Sequence, residues 1–146
     1  MGATVAPTTQ RSMKKGEIMN TAITNNFEPG TYWIGDLCYV LQADEWDDLM
    51  IQTSLAEEAV VEIRGFKVGY CGTAFGDGVY MDEERNLYPV DSGSIGIVPL
   101  ERVKVSDKIL KLGRTIQIPE SFSIENQNGR LRFGNVFIDT DFREFE

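Results

Sequence analysis

Short apolar runs bounded by glycine, proline and polar turn residues predict β-strands along most of this chain. Aromatic and β-branched residues predominate in residues 31–41, with Gly35 and Asp36 as a break. Further short strands are predicted at residues 59–64, 66–71, 78–82, 87–91 and 94–99. The polar turn between residues 82 and 86 makes residues 79–90 a hairpin, and Pro99 ends the last strand of this group.

One segment follows helical spacing instead. Apolar residues recur on one face between Trp46 and Thr53, which predicts a helix over residues 44–54. Asp44 is the expected N-cap of this helix, with Asp47 at its third position.

The last third of the chain alternates clearly between apolar and polar residues. Asn128-Gly129 is a strong hairpin signal between predicted strands at 121–125 and 130–133. Strands are also predicted at 115–118 and 136–138. The whole pattern predicts an α+β fold, mainly antiparallel β-sheet with several hairpins and one principal α-helix at about residues 44–54.

The first 26 residues differ from the rest, because they are polar and lack aromatic residues. We expect them to be disordered, ahead of a single α+β domain over residues 27–146. Lys14 to Met19 can be encoded by a purine-rich stretch that contains a bacterial ribosome-binding site before an ATG. We therefore hypothesise that Met19 is the true start and that residues 1–18 are a translated leader. The alternative is an ordinary disordered tail or tag.

Charge and composition restrict the function classes. The net charge is −9, which argues against general nucleic-acid binding and against adsorption to anionic membranes, since both need basic surface. No apolar run approaches the ~20 residues that span a bilayer. The start of the chain lacks the apolar core of a secretory signal. We therefore expect a cytoplasmic protein without membrane association.

The chain has no histidine and two cysteines. Ser-His-Asp and Cys-His catalysis and zinc sites with histidine ligands are therefore excluded. Cys38 and Cys71 have apolar neighbours, so we expect buried, reduced, structural thiols. We predict no cofactor and no bound metal, and any metal would have to be a hard, oxygen-bound cation.

Glycines are concentrated in residues 65–96, which hold seven of the fourteen. Such a stretch indicates bulges, tight turns, or a backbone that approaches a ligand or a neighbouring strand closely. It matches neither a Walker loop nor a dinucleotide-binding fingerprint. A nucleotide-hydrolysing enzyme is therefore not indicated, whereas a backbone-lined pocket stays open.

Several motifs together resemble a known group of proteins. They are Gly35-Asp36-Leu37-Cys38-Tyr39-Val40, Trp46, Gly76-Asp77-Gly78-Val79-Tyr80 and Val90-Asp91-Ser92-Gly93-Ser94-Ile95-Gly96-Ile97. The pattern is similar to that of small uncharacterised proteins from bacteria and their phages. It spans about residues 30–100, and residues 100–146 carry no matching motif. The resemblance implies a bacterial or phage origin and a shared fold, but no activity.

Asp36, Asp77 and Asp91 form a candidate carboxylate cluster, with Asp82 as a further acidic residue. Neighbouring carboxylates can divide acid and base roles or hold Mg²⁺ or Ca²⁺. The alternative is structural, because aspartate beside glycine often bonds the backbone of its own turn.

Basic residues are in local excess between Arg102 and Arg114, where five cations face only Asp107, a net charge of +4. Such a segment can meet an anionic ligand or an acidic partner surface. The alternative is charge compensation against the chain's own acidic helix.

Three function classes follow. The first is a non-enzymatic binding protein of bacterial or phage origin that sequesters a small anionic, nucleotide-like ligand or blocks a host defence protein. The second is a structural or assembly protein, such as a minor virion component. The third is a carboxylate-dependent, metal-assisted enzyme, although we expect no catalysis. Edge-to-edge strand pairing also predicts a homo-oligomer. The expected ligand-binding residues are Asp77, Tyr80, Ser92 and one of Arg102 or Arg114.

Overall fold

The computed structural model describes residues 27–141. The predictions for residues 1–26 and for Met19 as the start lie outside this range. The α+β prediction is confirmed. The strands are β1 (Gly30–Gly35), β2 (Glu58–Ile63), β3 (Phe66–Gly72), β4 (Gly78–Met81), β5 (Leu87–Val90), β6 (Ser94–Pro99), β7 (Gly113–Ile118), β8 (Ile124–Gln127), β9 (Arg130–Phe133) and β10 (Val136–Asp139). The helices are α1 (Ala43–Thr53) and α2 (Asp107–Lys111), with 3-10 turns at Leu37–Tyr39 and Leu100–Arg102.

The strands form three antiparallel sheets. The largest has the order β2-β3-β6-β1-β7, the second has the order β10-β9-β8, and β4 pairs with β5 in a hairpin. The hairpin lies between the other two sheets, because β5 packs beside β7 and β4 packs beside β10. Asp82, just after β4, also forms an isolated bridge with Ile138 of β10.

The five-stranded sheet buries both of its faces, and the alternation within its strands shows how. Ile34 and Ile97 belong to a larger core that the smaller sheets cover. Their neighbours Trp33 and Val98 point to the opposite face, into a second core that α1 and α2 cover. The fold therefore has three layers, with the five-stranded sheet in the middle.

Turns and close strand contacts account for several glycines of residues 65–96. Gly76 and Gly93 have φ values of +76° and +82°, in the left-handed region that favours glycine. Gly96 faces a neighbouring strand so closely that an added Cβ would lie 2.6 Å from the carbonyl oxygen of Gly69. Two of the features expected for this stretch, tight turns and a close approach to a neighbouring strand, are therefore present.

Local details differ from three sequence predictions. Gln42 is the N-cap of α1, and the predicted N-cap Asp44 lies inside the helix. The carboxylate of Glu45, which holds the third helical position expected for Asp47, accepts a hydrogen bond from the backbone N–H of Gln42. This capping box places the N-cap two residues earlier than predicted. Residues 37–39 form a 3-10 turn instead of continuing the first strand, because the Asp36 carboxylate accepts a hydrogen bond from the N–H of Cys38.

That turn also changes the exposure of one cysteine. Leu37 points into the core, whereas Cys38 is exposed, contrary to the prediction; Cys71 is buried, as predicted. Two elements in the second half also differ from the predictions. The strand predicted at 121–125 begins only at Ile124, and α2 was not predicted. In residues 27–141, no helix is long and apolar enough to cross a bilayer.

Candidate functional site

Asp36 accepts four hydrogen bonds through its carboxylate. It is completely buried between the end of β1 and the 3-10 turn. Its Oδ2 accepts hydrogen bonds from the backbone N–H groups of Asp91 at 2.7 Å and Ser92 at 2.6 Å. Its Oδ1 accepts from the N–H of Cys38 at 3.0 Å and from the hydroxyl of Ser92 at 2.7 Å. One carboxylate thus joins two loops that are more than fifty residues apart in the chain.

The other two predicted carboxylates lie around the same turn. The hydroxyl of Tyr39 donates to Asp91 Oδ2 at 2.7 Å. Asp77 is exposed, yet its charge acts on Cys38 together with those of Asp36 and Asp91. The structure therefore brings Asp36, Asp77 and Asp91 into one neighbourhood. Across residues 27–141, however, no three acidic or cysteine side chains are arranged to hold a metal ion.

Cys38 lies within this acidic neighbourhood. Partial burial, a hydrogen bond to Asp36 and the charges of the three aspartates raise the pKa of its thiol to about 12. Because the thiolate is the nucleophile, a thiol held in this protonated form is a poor one. Burial likewise raises the pKa of Cys71.

Tyr80 closes the glycine-rich loop before β4. The hydroxyls of Tyr80 and Thr73 lie 3.2 Å apart, and both donate to the carbonyl oxygen of Gly76, at 2.8 and 2.7 Å. The N–H of Thr73 donates to the carbonyl of Gly93, which places this loop beside the loop that Asp36 holds. Asp77, Tyr80 and Ser92 therefore lie on or beside these two neighbouring loops.

Arg114 instead takes part in a second cluster, around Asp82. The guanidinium lies 2.9 Å from the buried carboxylate of Asp82 and 2.8 Å from the exposed carboxylate of Glu84. Asp82 also accepts hydrogen bonds from Tyr88 at 2.6 Å and from the backbone and side chain of Asn86. Burial acts to raise the pKa of Asp82, but these hydrogen bonds outweigh it and hold the pKa below its ordinary value.

Arg102 lies on the other face of the five-stranded sheet. Its guanidinium stacks 4.8 Å above the ring of Phe66, which belongs to the core under α1. Tyr88, in the Arg114 cluster, belongs to the opposite core. The two arginines named as alternatives for the ligand site are therefore separated by the sheet, and neither contacts Asp77 or Ser92 in any described hydrogen bond or ion pair.

A shallow concavity of about 340 Å³ lies elsewhere, along the connection from β7 to β8. Its lining includes Glu120, Phe122 and Arg132. Arg132 is ion-paired with Glu125. None of the predicted ligand-binding residues lines this concavity.

The hairpin exposes a surface that the sequence analysis did not single out. Val79, Met81 and Leu87 are 63%, 46% and 54% exposed. Pro89, half-buried, is paired with Val79, and Leu87 with Met81, so the four side chains share the outward face of the hairpin. We call these four residues the hairpin face. The signal was available, because apolar residues occupy both alternating sets of positions between residues 79 and 90.

Four basic residues lie between positions 102 and 111, in and around the second 3-10 turn and α2. Arg102, Lys104, Lys108 and Lys111 are exposed, and none forms an ion pair with another residue of the described range. The acidic helix α1 pairs with a different cation, since Arg64 binds Asp44 and Asp48. Direct pairing with this helix therefore does not account for these four exposed basic residues. No protein-family model, curated protein or solved structure matches the chain.

Proposed function

We propose that this chain is a non-enzymatic binding protein that acts through protein–protein contact, with the hairpin face as its docking surface. The motifs that resemble those of small bacterial and phage proteins are our basis for proposing a bacterial or phage origin, and with it a host protein as one class of partner. A docking surface for proteins, in a chain of bacterial or phage origin, favours the blocking of a host defence protein as the activity.

One observation carries the proposal. The hairpin face presents contiguous apolar side chains to solvent, which in soluble proteins marks interaction sites. The other face of the same hairpin is fixed, because Tyr88 and Val90 are buried in the larger core. Such a surface is preorganised, so little ordering of backbone opposes binding.

The placement of the polar groups favours this function over its alternatives. A carboxylate-dependent enzyme would need Asp36 to face a substrate, but its four hydrogen bonds are all internal. A small anionic ligand would need a cation beside Asp77, Tyr80 and Ser92. Arg114 is committed to Asp82 and Glu84, and Arg102 lies across the sheet.

The test is site-specific photocrosslinking in bacterial cells. A photoreactive amino acid is placed at Val79, and the matched control carries it at Ile51, which is 76% exposed on α1. We expect Val79, but not Ile51, to form a covalent adduct with a protein, either another protein or a second copy of this chain. The Leu87→Glu substitution should abolish that adduct. Equal adducts at both positions, or none at Val79, would contradict the proposal.

A second measurement addresses the small-ligand alternative. Native mass spectrometry of the purified protein, before and after denaturation, would detect a molecule that co-purifies. We expect the bare chain mass, alone or in multiples. A released nucleotide-sized mass would favour the alternative, in which the chain sequesters a small anion.

A further inference from the structure

We propose that the hairpin face binds a second copy of this chain, through the basic segment of that copy. The inference rests on the proposed function, since it names a partner for the same docking surface. The basic segment comprises residues 102–111, from the 3-10 turn after β6 to the end of α2. Copies would then associate head to tail.

The basic segment combines positive charge with exposed apolar side chains. Its four cations face one acidic residue, Asp107, which leaves a net charge of +3. Val105 and Leu110 are 53% and 44% exposed among these cations. The segment therefore offers what an apolar surface with acidic borders would bind.

The hairpin face has such borders. Exposed acidic residues stand at its two ends, where Asp77 and Asp91 flank the base and Glu83 and Glu84 occupy the tip. Glu84 is already paired with Arg114 of the same molecule. The other three carboxylates and the exposed Arg85 of the tip, three negative charges and one positive, carry a net charge of −2. The two surfaces are complementary both in charge and in apolar character. Complementary potentials of this kind guide association and set the register of an interface.

Within one molecule the two surfaces are anchored in opposite cores. Val103 anchors the basic segment in the core on the helical face of the five-stranded sheet. The side chain of Trp33 also donates to the carbonyl oxygen of Ile109 at 3.3 Å, which holds α2 there. The hairpin is anchored in the opposite core through Tyr88. An interface between two different surfaces joins copies head to tail. The copies form a ring where the rotation closes, and otherwise an open chain with one unpaired surface at each end.

Sedimentation velocity of the full chain tests the inference with paired charge reversals. One variant carries Lys108→Glu and Lys111→Glu, and the other carries Asp77→Lys and Glu83→Lys. The control for the second variant is Asp47→Lys with Glu120→Lys, which makes the same charge change at exposed positions elsewhere. The wild type should self-associate more strongly in about 0.05 M than in about 0.5 M salt.

Each reversal variant should weaken self-association about tenfold or more, and the control should not. An equimolar mixture of the two reversal variants should associate again, because each variant then supplies one native surface to the other. A monomeric wild type, or association that survives both reversals, would overturn the inference. Loss with Leu87→Glu but not with the lysine reversals would also overturn it. The proposed function would remain in that case and also with a monomeric wild type, as long as Val79 still crosslinks to another protein.

Discussion

Replacing Asp36 with alanine should destabilise the fold strongly, because one buried carboxylate satisfies four donors. Asp36→Ala leaves the backbone N–H groups of Cys38, Asp91 and Ser92 without their acceptor. The hydroxyl of Ser92 keeps a neighbour, since Ser94 Oγ lies 3.1 Å away. A buried donor that loses its partner costs about 1–3 kcal/mol. Water can enter the space left by the carboxylate, so we take the lower part of the range, about 3–5 kcal/mol in total.

Urea unfolding followed by tryptophan fluorescence measures this loss, because Trp33 is fully buried in the native state. Asp36→Asn keeps one acceptor oxygen and should cost roughly half as much as Asp36→Ala. The exposed Asp77 provides the comparison, and Asp77→Ala should change the free energy of unfolding by less than about 0.5 kcal/mol. A loss below about 1 kcal/mol for Asp36→Ala would refute the assignment of Asp36 as the residue that joins the two loops.

Three further outcomes are expected. The pKa of Asp82 is lowered in the folded state, so folding favours the charged carboxylate. Its contribution to the free energy of unfolding is fully present above the unfolded-state pKa of about 3.9, and is lost as the pH falls through the pKa of the folded state. Urea midpoints should therefore fall more steeply below about pH 4 in the wild type than in Asp82→Asn. Gly113→Ala, whose Cβ would lie 2.3 Å from a backbone oxygen, should prevent folding or cost more than about 3 kcal/mol in urea unfolding, whereas Gly76→Ala should cost about 1–2 kcal/mol for its positive φ alone. Iodoacetamide should modify Cys38 at pH 8 at least about tenfold more slowly than free cysteine, and a rate equal to that of free cysteine would contradict its raised pKa.

The elements that sequence predicts well are those whose signal is local. Asn128-Gly129 encodes its own turn, since both residues have positive φ, and the hairpin forms as predicted. The face from Trp46 to Thr53 likewise places α1 within one residue of its observed bounds. The N-cap was predicted wrongly because glutamine is not among the preferred N-cap residues, and Gln42 is identified as the cap only by its hydrogen bond to Glu45.

The candidate site depends on contacts that no local pattern encodes. Asp36 and Ser92 are adjacent only because β1 pairs with β6, and that pairing joins residues about sixty positions apart. Arg114 was predicted near a ligand from its charge alone, but the turn after β4 brings the buried Asp82 to it. The sequence places these residue types in loops, and only the strand order decides which of them meet.

The strand order also has a consequence for how the chain folds during synthesis. β1 is made first among the described strands, yet both its partners, β6 and β7, lie more than fifty residues later. The pairs β2–β3, β4–β5 and β8–β9 close locally, whereas β1 has no partner until most of the chain has left the ribosome. Closing such long loops before their contacts form slows folding. We therefore expect refolding in milliseconds to seconds, with the local hairpins formed before β1 is inserted between its neighbours.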